Sequence, residues 1–432
     1  MSRLLASLLV FRHGQRPPYP PPLSHSAQGP SPWSPRPFPS HTLWRMSQRD
    51  FDSQLLSPSG HLLMRQIGEY VRTSMPPDTT CATPAHLIAD REPRDVQSAM
   101  AFADGFFQAC PAGVRERAAF HAANGSLADM LLPISSDHFD SGCGVSKQEA
   151  EMQFGNHSKQ LTSTFRDEIG FVSAALDCCS EDLCQRFGIA RNCTLADLPT
   201  RYTGPSDYWD AMYSSPLTIA ASFAESFMLQ ALSGIDYAWG RLSKPQLQRI
   251  YRMHDAVMSL ASSRESSEAF GSALLAYVLS SFEQMIQGTA LAGLVQPPSN
   301  ELFLAIFAHD LNLKYLQRLV GARWFTKSWS PDSTPPGGYI TFELWAPGGE
   351  ATPASNQNAA SLSAEACRVR ASFTSASFDQ QRDAAPLTPP NEPPSVSYFL
   401  DLPYQEFKRI VISAINRRCI AQPLRRTGMH HV

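Results

Sequence analysis

Two arginines and a histidine stand directly after the first apolar segment of the chain. Residues 4–11, LLASLLVF, are almost wholly apolar, which predicts a strand that is buried on both faces. Arg12, His13 and Arg16 follow in the sequence RHGQR. Guanidinium groups bind phosphate oxygens in pairs and stay charged at any relevant pH, while an imidazole can attack phosphorus and hold it covalently. These residue types therefore predict phosphoryl chemistry at the end of the strand.

Two further apolar segments also end in polar residues. Residues 85–90, AHLIAD, lead into Arg94, and residues 302–310, LFLAIFAHD, end in His309 and Asp310. Ligands of open α/β sheets bind beyond the carboxyl ends of the strands, so neighbouring strands would bring the three clusters together. Such a site could hold a phosphoryl group between arginines, and a carboxylic acid could protonate the leaving oxygen. This chemistry requires no metal ion and no cofactor.

The order of the elements predicts an α/β fold. The strand pattern at residues 4–11 is followed by a helical pattern at 56–75, a strand pattern at 85–90 and a second helical pattern at 95–110. Strands that alternate with helices in this way form parallel sheets. We therefore expect a mostly parallel sheet flanked by helices.

Helical patterns dominate the middle of the chain and predict a large helical insertion domain there. We expect residues 1–114 and 253–432 to form the α/β core, and residues 115–252 to form a helical cap domain. The later segments GGYITFELW and CRVRASFTS alternate like strands and predict a hairpin at the sheet edge.

The composition excludes several classes of function. The chain has 432 residues, a formal net charge of −3 and no basic block, so we expect no nucleic-acid partner. No run of about 18 apolar residues is present, so we expect no membrane span. The start, MSRLLASLLV, resembles a signal peptide, but cleavage there would remove the first strand, and we interpret it as part of the fold.

Nine cysteines favour disulfide bonds over a metal site. No CxxC pair is present, and the close cluster of Cys178, Cys179, Cys184 and Cys193 lacks partners at the spacing of zinc ligands. Disulfides form in oxidising compartments, which predicts a periplasmic or secreted protein whose signal peptide is not in this chain. We expect a monomer, in which one thiol is left over.

Several motifs together resemble one family. RHGQRPP resembles the RHGxRxP signature of histidine acid phosphatases, branch 2 of the histidine phosphatase superfamily, and AHDLNL resembles that family's HD motif. The segments LSPSGHLL, ADREPRDVQSAMAFADGF, SGIDYAWGRL and STPPGGYITFELW resemble parts of bacterial periplasmic phytases and glucose-1-phosphatases. The resemblance keeps its order over nearly the whole chain.

This resemblance implies a role for each residue of the three clusters. His13 would be the nucleophile and Asp310 the proton donor in the hydrolysis of a small phosphate monoester. The expected phosphate-binding residues are Arg12, Arg16, Arg94 and His309. His254, in YRMHDAV, occupies the place of a polar substrate-pocket residue, although a half-buried helix histidine would show the same pattern.

The resemblance also implies three disulfide pairs. They are Cys81 with Cys110, Cys143 with Cys419, and Cys184 with Cys193. Cys178, Cys179 and Cys367 have no counterpart in the family pattern, so their pairing stays open.

The residues around the expected pocket depart from those of phytases. Tyr19 and Pro20 stand where phytases carry a lysine, and ESSEAFGSALL, after His254, lacks a second pocket arginine. A phytate site needs cations beyond those that hold one phosphate. We therefore expect sugar phosphates or a broad range of monoesters, with phytate as the alternative substrate, for which Arg91 could supply the missing charge. Two more hypotheses fit the same residues: a phosphoryl mutase and a non-catalytic phosphate-binding relative.

Overall fold

In the part of the chain that the structure describes, seven strands form one mixed sheet, and two short strands form a separate hairpin. The computed structural model describes residues 2–19, 29–75, 81, 85–111, 119–121, 126–133, 143–201, 215–289, 303–347 and 363–420. Within these residues the strands are β1 (Ser2–Arg12), β2 (Gly29–Ser31), β3 (Ser34–Phe38), β4 (Ala85–Ala89), β5 (Ala119–His121), β6 (Phe303–Ala308), β7 (Tyr339–Pro347), β8 (Arg368–Ser375) and β9 (Ser395–Pro403).

The sheet has the strand order β5-β4-β6-β1-β7-β8-β9. Its first four strands run parallel, and the last three pair antiparallel in succession. The predicted α/β fold is confirmed, with the parallel strands at the core. The antiparallel half contains the two late strands that the sequence predicts and adds β9 beyond them.

The described residues include fourteen α-helices, of which some cover the two faces of the sheet and others form a separate core. They are α1 (Gln48–Asp52), α2 (Pro58–Ser74), α3 (Pro93–Phe106), α4 (Ser126–Leu131), α5 (Lys147–Ala150), α6 (Ser158–Thr164), α7 (Arg166–Leu176), α8 (Glu181–Arg186), α9 (Pro216–Leu232), α10 (Lys244–Ala261), α11 (Arg264–Gln287), α12 (Asp310–Val320), α13 (Phe378–Arg382) and α14 (Tyr404–Ala414). A π-helical segment, Glu151–His157, joins α5 to α6, and 3₁₀ turns lie at Leu195–Asp197, Tyr237–Gly240 and Arg417–Cys419.

The helices next to the site begin at serine caps. The side chains of Ser57, Ser215 and Ser243 accept hydrogen bonds from backbone N–H groups in the first turns of α2, α9 and α10. Each of these helices also has a proline in its first two positions, where the missing N–H costs nothing. The local sequence therefore sets where these helices start.

The central strands are buried on both faces. Along β1, Leu8 and Val10 pack in the core that contains α11, α12 and α14, whereas Leu9 and Phe11 pack in the core that contains α2 and α3. Apolar side chains are therefore required at successive positions, which is why the sequence of β1 does not alternate with polar residues.

The helices between α5 and α10 share a separate core, to which the start of α12 also contributes. Two elements inside the predicted cap, residues 115–252, belong to the sheet layer: β5 pairs with β4, and α4 packs against α11. Helix α10 runs through the predicted boundary at residues 252 and 253. The placement of the two domain boundaries stays a prediction.

One helix in the described part of the chain, α11, is long and apolar enough to cross a membrane by length and composition. Its most apolar window is 83% buried inside the protein. A buried core helix passes the same test, so α11 is only a weak indication of a membrane span.

Four disulfide bonds join eight of the nine cysteines. Three are the pairs that the family resemblance implies: Cys81–Cys110, Cys143–Cys419 and Cys184–Cys193. The fourth joins the adjacent residues Cys178 and Cys179. Cys367 is buried and carries the remaining thiol.

Candidate active site

The candidate site lies where β1, β4 and β6 end. The register places Phe11 of β1 and Ala89 of β4 on either side of Phe307 in β6, so the three chains leave the sheet at the same edge. A pocket opens at this edge. Six of the seven residues predicted for the site line it: His13, Arg16, Arg94, His254, His309 and Asp310. Arg12 lies beneath, 3.1 Å from Asp310.

The His13 ring is held in one tautomer. Its Nδ1 atom lies 2.8 Å from the carbonyl oxygen of Gly14, and since a carbonyl oxygen only accepts, Nδ1 carries the proton. Nε2 therefore keeps its lone pair. The side chain is only 3% exposed, and burial together with the positive charges of Arg94 and Arg16 holds the pKa of His13 well below its usual range.

The loop after β1 is clamped by its neighbours. The backbone N–H of Gly14 donates to the hydroxyl of Ser98 at 3.0 Å, and the carbonyl of Gln15 accepts from the N–H of Ser57 at 2.9 Å. The first turn of α2 approaches so closely that a Cβ on Gly60 would lie 2.1 Å from the Gln15 oxygen. Only glycine at this position allows the close contact.

Arg12 is buried among acceptors. Its guanidinium donates to the backbone oxygen of Thr334 at 2.7 Å and to Oε1 of Glu225 at 2.6 Å, and forms an ion pair with Asp310 at 3.1 Å. The side chain is 1% exposed and its guanidinium contacts three acceptors, so it has little freedom to move. It therefore acts as a rigid charge behind the pocket.

The other two arginines share an aromatic neighbour. The guanidinium carbons of Arg16 and Arg94 lie 4.2 Å and 5.9 Å from the centre of the Tyr19 ring. Arg16 also donates to the carbonyl of Pro17 at 2.9 Å, and Arg94 to Glu92 at 3.0 Å. Tyr19 therefore packs on both arginines.

His309 and Asp310 stand at the start of α12. The backbone N–H of His309 donates to Oδ1 of Asn312, and Nε2 of its ring donates to Asp90 at 2.8 Å. Burial lowers the pKa of His309, but the carboxylates of Asp95 and Asp90 outweigh that effect and raise it overall. His309 is therefore a positive charge at the edge of the sheet in acidic solution.

Asp310 lies between the guanidinium of Arg12 and the imidazole of His254. Its Oδ2 atom lies 3.1 Å from Arg12 and 3.7 Å from Nε2 of His254. Burial raises the pKa of this carboxyl, but Arg12 and His254 outweigh that effect and lower it overall. The carboxylate remains 16% exposed towards the pocket.

Glu225 is a residue of the site that the sequence reasoning missed. It lies on α9, and its two oxygens are 2.6 Å from Arg12 and 3.8 Å from Arg16. Burial raises its pKa, but Arg16 and His254 outweigh that effect and hold the pKa well below its usual range. Glu225 is the single charged residue in the apolar sequence of α9, PLTIAASFAESFMLQAL, and this isolation was the signal that could have found it.

His254 is a helix residue that is buried and lines the pocket, where the alternative expected a half-buried helix histidine. It is 4% exposed on α10, and its Nε2 atom is 3.5 Å from Glu225. Its ring stacks on Tyr251 with 5.0 Å between the ring centres. The helical side of the pocket therefore carries one carboxylate and one imidazole.

The rest of the described pocket wall is mostly apolar. Ala221, Phe223, Val257, Met258 and Leu311 line it, and no lysine lies among the lining residues that the structure describes. Arg91, the expected substitute cation, is exposed and does not line the described pocket. Pro20 lies outside the described residues.

Two groups of side chains bring possible metal ligands within 4.8 Å of one another: Asp90, Asp95 and His309, and Glu225, His254 and Asp310. Each group lies against an arginine. Arg94 is 3.9 Å from Asp95, and Arg12 contacts Glu225 and Asp310. A guanidinium competes with a cation for the same carboxylates, so we assign no metal ligand.

Comparisons with known proteins identify the family of this chain. Residues 6–362 match the family described as histidine phosphatase superfamily (branch 2). The phytase AppA of Escherichia coli strain K12 is 24% identical over 352 residues, which cover 78% of this chain and 76% of that protein. Two solved phytase structures have the same fold. The apo form from Hafnia alvei has a TM-score of 0.73 at 20% identity, covering 97% of this chain and 98% of its own. The phytase structure from Citrobacter braakii has a TM-score of 0.74 at 18% identity, and the match covers 98% of this chain and 100% of that chain.

The chain belongs to branch 2 of the histidine phosphatase superfamily. It is a phosphatase, and the reaction that its family supports is the hydrolysis of phosphate monoesters.

Proposed function

We propose that hydrolysis proceeds through a covalent phosphohistidine on His13. Nε2 of His13 attacks phosphorus, the P–O ester bond breaks, and Asp310 gives its proton to the leaving oxygen. Water then attacks the phosphohistidine, inorganic phosphate leaves, and Asp310 takes the proton back. The observation that carries this proposal is the Nδ1 contact to Gly14, because it leaves the lone pair of Nε2 available in a pocket of arginines.

The arginines carry the charge of the phosphoryl group in this proposal. Arg12, Arg16 and Arg94 neutralise the oxygens, and His309 adds a fourth positive charge in acid. Hydrolysis then requires no metal ion. Full activity after treatment with EDTA supports the proposal, and loss of activity that added metal restores would contradict it.

The pKa shifts favour an acidic working range. His13 must be neutral to attack, and its lowered pKa keeps it so in acid. Asp310 must hold a proton to donate it, and its lowered pKa restricts that form to low pH. We therefore expect kcat/KM to be highest on the acid side of neutral and to fall as pH rises through the Asp310 pKa.

The pocket wall favours a small monoester, such as a sugar phosphate, or a broad range of monoesters. Beyond the phosphate-binding groups, the described wall offers mostly apolar side chains, several hydroxyl groups, the carboxylate of Glu225 and the imidazole of His254. It holds no further lysine or arginine among its described residues, which disfavours a second phosphate there. Phytate is the second candidate, because the compared proteins are phytases and the Hafnia alvei enzyme has a structure in complex with myo-inositol hexakis sulphate. A kcat/KM series with glucose 1-phosphate, glycerol phosphate, p-nitrophenyl phosphate and phytate decides between them.

The covalent intermediate is the sharpest test of the mechanism. Rapid mixing with ³²P-labelled substrate, followed by quenching in alkaline denaturant, should trap a protein label that is lost in acid, as a phosphoramidate bond requires. Free inorganic phosphate as the product separates hydrolysis from a mutase. A labelled peptide without His13 would contradict the proposal.

We also propose that the protein works as a monomer in the periplasm or outside the cell. The four disulfides support an oxidising compartment. Fractionation of the source cells and sedimentation of the purified protein test these two statements separately.

A further inference from the structure

Asp95 is a buried carboxyl group that the proposed mechanism does not use. It lies in the first turn of α3, next to Arg94, and its residue is 0% exposed. Neither of its carboxylate oxygens has a hydrogen-bond partner among the residues that the structure describes. A buried carboxyl without hydrogen bonds is costly to keep ionised, so its presence beneath the pocket requires an explanation.

The neighbours of Asp95 are the cations of the phosphate pocket. Its Oδ2 atom is 3.6 Å from Nε2 of His309 and 3.9 Å from Nε of Arg94. Asp90, at the end of β4, holds the same His309 nitrogen at 2.8 Å. Asp95 is therefore a second carboxyl beside His309, close to it but outside hydrogen-bond distance.

Charged groups on the surrounding elements complete this environment. Glu92 precedes α3 and binds Arg94 at 3.0 Å, and the His13 ring, beyond the end of β1, lies 5.7 Å from that of His309. Helix α2 packs along α3, but its charged groups contact residues that follow Asp95 in the chain. Arg65 donates to Gln108, and His61 faces Asp104. The charge state of Asp95 is thus set mainly by burial, His309 and Arg94.

Burial raises the pKa of Asp95 to about 7, against the lowering effect of His309 and Arg94. The carboxyl is therefore neutral in acid and becomes negative near neutral pH. Because Asp95 and His309 are close, they share their protons, and the relevant quantity is the net charge of the pair.

We infer that Asp95 is a positioning residue that makes the affinity of the phosphate pocket depend on pH. Above neutral pH it lowers the affinity of the pocket for anions. With a proton on Asp95, the charges of His309 and Arg94 act on the substrate. Without it, the carboxylate neutralises one of these charges and repels the phosphate. This inference rests on the proposed phosphate pocket and adds a regulation to it.

Sulfate binding tests the inference without catalysis. Sulfate is a dianion throughout the range from pH 5 to pH 8, so any change of affinity arises from the protein. We expect Asp95→Asn and wild type to bind sulfate within about threefold of each other at pH 5, and the variant to bind about tenfold more tightly at pH 8, as one added charge near the site requires. Equilibrium dialysis with labelled sulfate measures both constants.

Glu92→Gln is the matched control. It removes a carboxylate from the same arginine, but that side chain is 43% exposed and screened by water. The ratio of the sulfate affinities of Glu92→Gln at pH 5 and pH 8 should equal the ratio for wild type. Asp95→Ser, also neutral, replaces the asparagine variant if that protein does not fold.

The outcomes separate the two proposals. Equal pH dependence in wild type and the folded Asp95 variant overturns the inference, as does a variant that binds more weakly by the same factor at both pH values, because that indicates a structural role alone. Sulfate that p-nitrophenyl phosphate cannot displace from wild type contradicts the phosphate pocket itself.

Discussion

The two sides of the pocket differ in what they offer a substrate. The sheet side, at the ends of β1, β4 and β6, presents Arg16, Arg94 and His309 around His13. The helical side, on α9 and α10, presents the carboxylate of Glu225, the imidazole of His254 and an apolar wall. The sheet side therefore offers positive charge to a phosphoryl group. The helical side faces the part of the substrate that is attached to the phosphoryl group.

This difference separates reaction from specificity. The sheet side is clamped by the backbone bonds of residues 13–15 and by the close approach of α2, so its geometry is rigid. The helical side belongs to a separate core and lines the pocket with side chains of different sizes. We therefore expect changes on the sheet side to act on the chemical step, and changes on the helical side to act on the choice of substrate.

The largest effect is expected at the centre of the sheet side. His13→Ala should reduce kcat by more than about 10⁴-fold and abolish the ³²P label, because the variant lacks the Nε2 atom that forms the proposed bond to phosphorus. His157→Ala, an exposed histidine on the helical part, is the control and should keep both. Activity of His13→Ala within tenfold of wild type would remove the nucleophile assignment.

A comparison of Asp310 with Glu225 tests the difference in role between the sheet side and the helical side. Asp310→Asn should lower kcat more for an alkyl phosphate than for p-nitrophenyl phosphate, by about tenfold or more, because poor leaving groups depend most on the proton. Glu225→Gln, on the helical side, should lack this dependence on the leaving group, because Glu225 is not the proposed proton donor. If the two variants show the same ratio, Asp310 is not the proton donor.

A pair of glycines tests the rigidity of the two sides. Gly60→Ala would place a Cβ 2.1 Å from the Gln15 oxygen and should destabilise the protein by about 1–3 kcal/mol while lowering kcat. Gly170→Ala, on α7, meets nothing within 4 Å and should stabilise it by about 0.5–1 kcal/mol with kcat unchanged. Denaturant unfolding measures both, and a stable, fully active Gly60→Ala would show that the loop does not need the clamp.

The smallest effect is expected from adding a charge to the helical side. Ser222 lines the pocket on α9 and is half-buried. Ser222→Lys should raise kcat/KM for phytate relative to glucose 1-phosphate by about two- to fivefold, since a half-exposed cation contributes about 0.5–1 kcal/mol. Ser222→Gln controls for size. An equal change for both substrates would mean that the helical side does not select by charge.

The sequence by itself predicts the elements that obey local rules. Continuous apolar runs mark the buried strands β1, β4 and β6, and their polar ends mark the sheet side of the site, because parallel strands of one layer end at one edge. Serine caps followed by proline mark the starts of α2 and α9. The three clusters that meet in the structure are therefore already visible as short strings of residues.

Only the tertiary structure decided which distant residues meet these clusters. Glu225 reaches Arg12 across 213 positions of sequence, and no local pattern specifies such a contact. The same holds for cysteines without a family counterpart, where Cys178 bonds to Cys179 and Cys367 stays unpaired. In the sequence, Asp95 is an ordinary acidic residue in the first turn of a helix. Only the packing of β4, β6 and α3 excludes water from it, and water would otherwise stabilise its negative charge.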